Sequence, residues 1–149
     1  MSNPRPPRYI KPMNKVMIAA QKLGVPTGPA MVLTVPGRKS GKPRSTPMTP
    51  FEFDGGLYVV AGYPGADWAA NARAAGTGTL SRGRRSRRVK IVELTAEQAR
   101  PVLRTFPVEV PVGVAFAKSS GMVVDGTSDE FEALAGRIAV FRFDPVAPT

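Results

Sequence analysis

Residues 37–47 read Gly-Arg-Lys-Ser-Gly-Lys-Pro-Arg-Ser-Thr-Pro, directly after the apolar run Ala30–Val35. Four cations and two glycines fall in this segment, and no acid does. Glycine lets a backbone pass close to a ligand. Successive backbone N–H groups in such turns form concavities that hold anions. Lys39 and Arg44 can add charge-assisted hydrogen bonds to a phosphate or carboxylate, and a guanidinium can do so with two parallel bonds. The segment therefore reads as an anion cradle; a basic surface turn between two strands is the plain alternative. It is not a Walker loop. That pattern needs four residues between its glycines and then Lys-Ser or Lys-Thr, whereas three separate Gly37 from Gly41 and Pro43 follows Lys42. Nor does the segment contain a G-x-G-x-x-G.

The chain has no His and no Cys. That removes Ser-His-Asp and Cys-His nucleophile arrangements, His/Cys zinc sites and disulfides. Proton transfer must fall to Tyr, Lys, a carboxylate, water or the ligand. A bound cofactor is then the economical source of reactivity, and no metal is expected. Charge is unevenly placed. Residues 1–51 carry nine Lys/Arg and no acid, while residues 52–149 carry twelve Lys/Arg against eleven acids. The net +10 thus sits in the first third and favours anionic cofactors, anionic lipid surfaces or nucleic acid. No cleavable signal pattern or run of about 18 apolar residues is present. A reducing cytoplasm fits the absence of Cys, with a peripheral position at the inner membrane face as the variant that the basic first third suggests.

These residues must be positioned by a fold, and the periodicities indicate one. Residues 1–12 form a basic arm, and 13–145 a single domain. Met13–Leu23 has a helical apolar face. Ala30–Val35 reads as a buried strand. Arg44–Phe53 alternates as a second strand, at an edge or bulged because Pro47 and Pro50 cannot donate to a central ladder. It turns at Asp54-Gly55-Gly56 into Leu57–Ala61. Gly62–Ala66 is a loop by composition. Asp67 is placed to N-cap a helix through Trp68–Ala75 that Gly76 stops. Thr77–Ser81 and Arg85–Glu93 pair around Arg82-Gly83-Arg84. Thr95 and Gln98 make a capping box for a helix through Arg104. Residues 105–127 show no clear period. Ser128 then caps a helix beginning Asp129-Glu130, and Ala139–Phe143 is the last strand. Five to seven strands with three or four short helices indicate an α+β fold whose antiparallel sheet curls toward a barrel.

In sequence order these features resemble the deazaflavin-dependent nitroreductase family. The strand followed by Gly37-Arg38-Lys39-Ser40-Gly41 and Pro43-Arg44…Pro47 carries the likeness. So do the turn at 54–56, the strand Leu57–Ala61, a Gly-rich loop, and Trp68 opening a helix with Asn71. The likeness runs over about residues 13–145. It implies a split β-barrel of the kind shared with pyridoxamine-phosphate-oxidase-like flavin proteins. The implied cofactor is the anionic deazaflavin coenzyme F420, and homodimers are common in that fold. By position, Lys39 and Arg44 hold the phosphate, with Ser40, Gly41 and nearby amides completing the cradle. Pro47 and Met48 line the deazaflavin, and Trp68 walls the same space, although a lone Trp is equally well explained by core packing. The chain departs from the pattern after Leu57–Ala61. Members with nitroreductase-like chemistry often have Ser-Lys-Gly-Gly there, where this chain has Gly62-Tyr63-Pro64-Gly65.

The leading expectation is hydride transfer from a reduced deazaflavin to a quinone, enone or nitroaromatic. Tyr63 is the candidate hydrogen-bond donor on the acceptor side, with a plain rim tyrosine as its alternative. The competing reading is a branch of the superfamily that binds a fatty acid or other lipid. It would hold the carboxylate on the basic loop and the tail along Phe106, Val108, Val110, Val112, Val114 and Phe116. Nucleic-acid binding through Arg82, Arg84, Arg85, Arg87, Arg88 and Lys90 is disfavoured, because that run has no aromatic residue on which a base could stack.

Overall fold

The computed structural model describes residues 30–146. The expected arm and the Met13–Leu23 helix lie outside them. Seven strands form one antiparallel sheet: β1 (Met31–Pro36), β2 (Pro43–Met48), β3 (Phe51–Phe53), β4 (Gly56–Val60), β5 (Thr77–Arg82), β6 (Arg85–Glu93) and β7 (Val140–Pro145). Among the described residues four helices accompany it: α1 (Asp67–Ala75), α2 (Ala96–Glu109), α3 (Pro111–Ser119) and α4 (Ser128–Glu132).

The strand order is β2-β1-β5-β6-β7-β4-β3. The edge strands β2 and β3 are consecutive in the chain, joined only through Thr49 and Pro50. Seven strands laid flat would set these edges about 29 Å apart. A link of this length spans at most about 11 Å. The sheet must therefore curl until its edges meet, and the result is a split β-barrel.

Alternation along the strands makes two cores. Leu33, Val35, Leu80, Val89, Ile91, Val59, Phe141 and Phe143 fill the barrel, which α1 closes with Ala69 and Ala72. The opposite face of β3, β4 and β7 presents Phe51, Tyr58, Val60 and Val140 to α2, α3 and α4, where Leu103, Phe106 and Phe131 pack. Strands β4 and β7 thus serve both cores.

Several expectations are met and several are corrected. The β5–β6 hairpin turns at Gly83 with φ +61°. The Thr95–Gln98 capping box forms. Gly76 ends α1 in the left-handed region, its N–H donating to the Ala72 carbonyl. Arg44–Phe53 is not one strand. It breaks at Thr49-Pro50 into β2 and β3, each an edge, as the prolines require. Asp67 does not cap α1: Ala66 holds the N-cap position with no side-chain bond, and the Asp67 carboxylate faces Arg38 instead. The cap of α4 is Thr127, one residue before Ser128. Residues 105–127 are largely helical. Helix α2 runs past Arg104 to Glu109, and α3 follows with Pro111 in its first turn, a position where a missing N–H costs nothing.

Candidate functional site

The basic loop between β1 and β2 is held from behind by α1. Gly37 N–H donates to the Lys42 carbonyl at 2.8 Å, and Gly41 N–H to the Gly37 carbonyl at 2.9 Å. Gly41 takes φ +72°, which glycine adopts without strain. Lys42 N–H donates to Ser40 Oγ at 3.2 Å. The Arg38 amide donates to Asn71 Oδ1 at 3.0 Å, and Arg38 Nη1 donates to the same oxygen at 2.8 Å. Arg38 Nη2 lies 3.3 Å from the Asp67 carboxylate. Asn71 is 7 % exposed, the one buried polar residue among those described.

Arg38 is therefore a fastening, and the other cations are left over. Among the described residues, the side chains of Lys39, Lys42 and Arg44 make no ion pair or hydrogen bond, and the Lys39 and Ser40 amides have no acceptor. Gly41's own amide is used inside the turn, so its part is to shape the loop. The result is an exposed loop of cations and N–H donors without partners among the described residues, with no acid in it.

Strand β2 leads from this loop to an apolar cavity of about 280 Å³. Arg44 and Pro47 are three residues apart on the strand, about 10 Å. Thr46, Pro47, Met48 and Thr49 give the cavity one wall, and Ala61, Gly62, Tyr63 and Trp68 another. Phe106, Val110, Val112, Phe116 and Met122 close it from the helical side. Trp68 sits between the core and the cavity. Its ring packs 5.6 Å from that of Phe141, and it lines the cavity as well. Gly62 is needed for close approach, because a Cβ there would stand 2.6 Å from Phe116 Cε1.

Tyr63 stands where a lysine is common in the resembling family. Its ring lies 6.4 Å from that of Phe116. Burial, and then the charge of Asp67, push its phenol above the ordinary value near 10, so it stays protonated and can donate. The hydroxyl has no partner among the described residues. Of the apolar segment, Phe106, Val110, Val112 and Phe116 reach the cavity, while Val108 is exposed and Val114 packs against the outer core.

The sequence foresaw Lys39, Ser40, Gly41 and Arg44 at the loop, and Pro47, Met48, Tyr63 and Trp68 at the cavity. Strand β2 joins the two groups: it carries Arg44 at its start and Pro47 and Met48 at its end, while Lys39, Ser40 and Gly41 precede it in the loop and Tyr63 and Trp68 reach the cavity from the segment after β4 and from α1. Missing from that reading were the Arg38–Asn71 fastening and the walls given by Thr46, Thr49, Gly62 and Met122. The basic β5–β6 hairpin stays outside the site: Arg88 donates to Thr77 and Thr79 across the hairpin, and Arg84, Arg85 and Arg87 are exposed. Among the described residues, no group of His, Cys, Asp or Glu could hold a metal, and no helix is long and apolar enough to cross a membrane.

The model of the F420H(2)-dependent quinone reductase family matches residues 10–121, most of the chain. No curated protein matches. Among solved structures, a chain described as a domain-swapped dimer is 20% identical with a TM-score of 0.56, covering 91% of this chain and 97% of that one. HutZ, the heme storage protein of Vibrio cholerae, is 13% identical with a TM-score of 0.52, covering 93% and 92%. A protein assigned as a pyridoxamine 5'-phosphate oxidase from Listeria innocua is 11% identical with a TM-score of 0.51, covering 91% and 94%. At these identities the likenesses show the fold, the split β-barrel.

Proposed function

The chain belongs to the F420H(2)-dependent quinone reductase family, whose members are oxidoreductases, and from that premise we propose that it reduces a quinone or similar electron-poor acceptor in the cavity beside Trp68. The observation that carries this reading is the pairing of an unpartnered cationic loop with an apolar cavity along a single strand. The donor set suits a phosphodiester: Lys39, Lys42, Arg44 and two loop amides have no partner among the described residues, and no acid opposes them. The apolar space lined by Pro47, Met48 and Trp68 suits a fused ring. The residues present therefore fit a deazaflavin.

When bound, a reduced deazaflavin supplies a hydride. The residues of the chain do the rest. Lys39 and Arg44 bind the phosphate, and Ser40 and the loop amides complete its contacts. Pro47, Met48 and Trp68 orient the ring and keep water from it. Tyr63 donates a hydrogen bond to the acceptor oxygen, where charge develops as hydride arrives. A quinone that takes up one hydride and one proton becomes the hydroquinone, and solvent replaces the proton at Tyr63. Residues 13–145 work as a single domain in this proposal. The fatty-acid reading uses the same wall of Phe106, Val110, Val112 and Phe116, and it predicts an extracted lipid in the purified protein.

The test is a titration of purified protein with oxidised coenzyme F420, followed by the cofactor's fluorescence. Saturable binding at micromolar concentration or tighter is expected. The combined Lys39→Ala and Arg44→Ala variant should weaken it by several kcal/mol, about 100-fold or more. Both side chains are exposed and make no ion pair or hydrogen bond among the described residues, so the variant is expected to keep its fold. Unchanged binding in it rejects the phosphate assignment.

A further inference from the structure

A second cavity of about 280 Å³ lies behind Tyr63. Ala61, Tyr63 and Ile138 line both cavities, so the two adjoin at Tyr63. Alanines of α1 and α2 form much of the second chamber, and Arg73, Glu93, Thr95 and Arg137 supply its polar groups. Arg73 and Glu93 neutralise each other through two hydrogen bonds of 2.8 and 2.6 Å. The Thr95 hydroxyl oxygen accepts from the Gln98 backbone N–H in the capping box of α2. Arg137 is different. It is exposed, and its side chain makes no ion pair or hydrogen bond among the described residues. The chamber thus presents one positive charge without a partner among the described residues, a phenol donor, and walls of small residues beside the neutralised Arg73–Glu93 pair.

We propose that this chamber is an acceptor subsite that takes a carboxylate. Resting on the reductase reading, the proposal places the acceptor's ring in the first cavity, its reacting oxygen at Tyr63 and its carboxylate at Arg137. Small side chains leave room for an anionic substituent, and a few polar groups on an apolar wall fix orientation. A guanidinium suits a carboxylate because its planar N–H fork matches both oxygens. The acceptor class is therefore an electron-poor ring bearing a carboxylate, in preference to its uncharged parent. Arg137 here is a specificity residue of the second chamber, apart from the loop that holds the phosphate.

Cofactor-free protein is titrated with a naphthoquinone carboxylate and with the uncharged naphthoquinone. Binding is followed by fluorescence of Trp68, the single tryptophan, which lines the adjoining cavity. The carboxylate should bind about tenfold more tightly, the effect of one charge-assisted contact. Arg137→Ala should abolish the difference, and Arg137→Lys should restore most of it. Equal affinities in the unmutated protein overturn the subsite, as does a preference that survives Arg137→Ala. Failure of the reductase reading shows elsewhere, as absent binding in the coenzyme F420 titration, and leaves the Arg137 comparison readable.

Discussion

Asn71 is a single side chain on which the loop's shape depends. Its Oδ1 accepts from both the amide and the guanidinium of Arg38, and it is buried, so water cannot replace it. Asn71→Ala should lower stability by about 2 kcal/mol, because two donors lose their acceptor at once; the midpoint of urea unfolding measures this. The same variant should weaken coenzyme F420 binding without touching a phosphate-binding side chain. Tyr63→Phe is the complementary change. Loss of one hydrogen bond at the acceptor should reduce kcat about tenfold and leave the cofactor's Kd unchanged. Burial raises the Tyr63 phenol above its ordinary value, so between pH 6 and 9 it remains a donor. The Tyr63 contribution to kcat should accordingly be flat over that range, and a fall attributable to Tyr63 near pH 8 would contradict the assignment. The cationic loop was legible in the sequence because its residues are contiguous. The Arg38–Asn71 contact was not, because its partners are 33 positions apart and meet only when α1 lies against the loop.

Helix α4 shows how a short element is made stable by its entry. Thr127 and Glu130 form a capping box. The Glu130 carboxylate also gathers the preceding loop, accepting from the amides of Val124, Asp125, Gly126 and Thr127 at 2.7 to 3.2 Å. These donors, Val124 first and Thr127 next, hold its pKa down to about 2. A carboxylate held below its unfolded value stabilises the fold above about pH 4.5, and that stabilisation is lost as the pH falls toward 2. Glu130→Gln should therefore lower Tm at neutral pH, and the gap from the unmutated protein should narrow between pH 5 and pH 2. A gap constant with pH would mean that the ionised carboxylate contributes nothing. Elements with local signals were readable: the β5–β6 hairpin, the capping box of α2, the glycine stop of α1. The stretch 105–127 was not, because Pro107 and Pro111 read as breakers and a change of direction at Val110 interrupts the apolar period. Ala99, Val102, Leu103 and Phe106 are buried on one face of α2, and that burial outweighs the donor that Pro101 and Pro107 each lack.

For the whole molecule, the consequential fact is that two hydrophobic cores share strands. In the barrel, β4 and β7 contribute Val59, Phe141 and Phe143; toward the helices they contribute Tyr58, Val60 and Val140. Neither core can be dismantled without exposing the back of the other. This arrangement follows from closure, and closure follows from the short link at Thr49-Pro50, which the sequence concealed because both flanking strands are extended and the alternation runs straight across it. The same link holds Pro47 and Met48 beside Trp68, so the cavity depends on the integrity of the barrel. Leu103→Ala, placed wholly in the outer core and fully buried, should cost about 3 kcal/mol. It should do so in one cooperative transition, seen at the same denaturant midpoint by Trp68 fluorescence, which reports the barrel, and by helical circular dichroism, which reports α2 to α4. If the helical signal were lost first while Trp68 fluorescence held, the shared strands would not couple the cores. The helices could then open and admit an acceptor without loosening the barrel that orients the cofactor. Coincident transitions would mean instead that the acceptor enters a cavity whose walls are set by the fold as a whole.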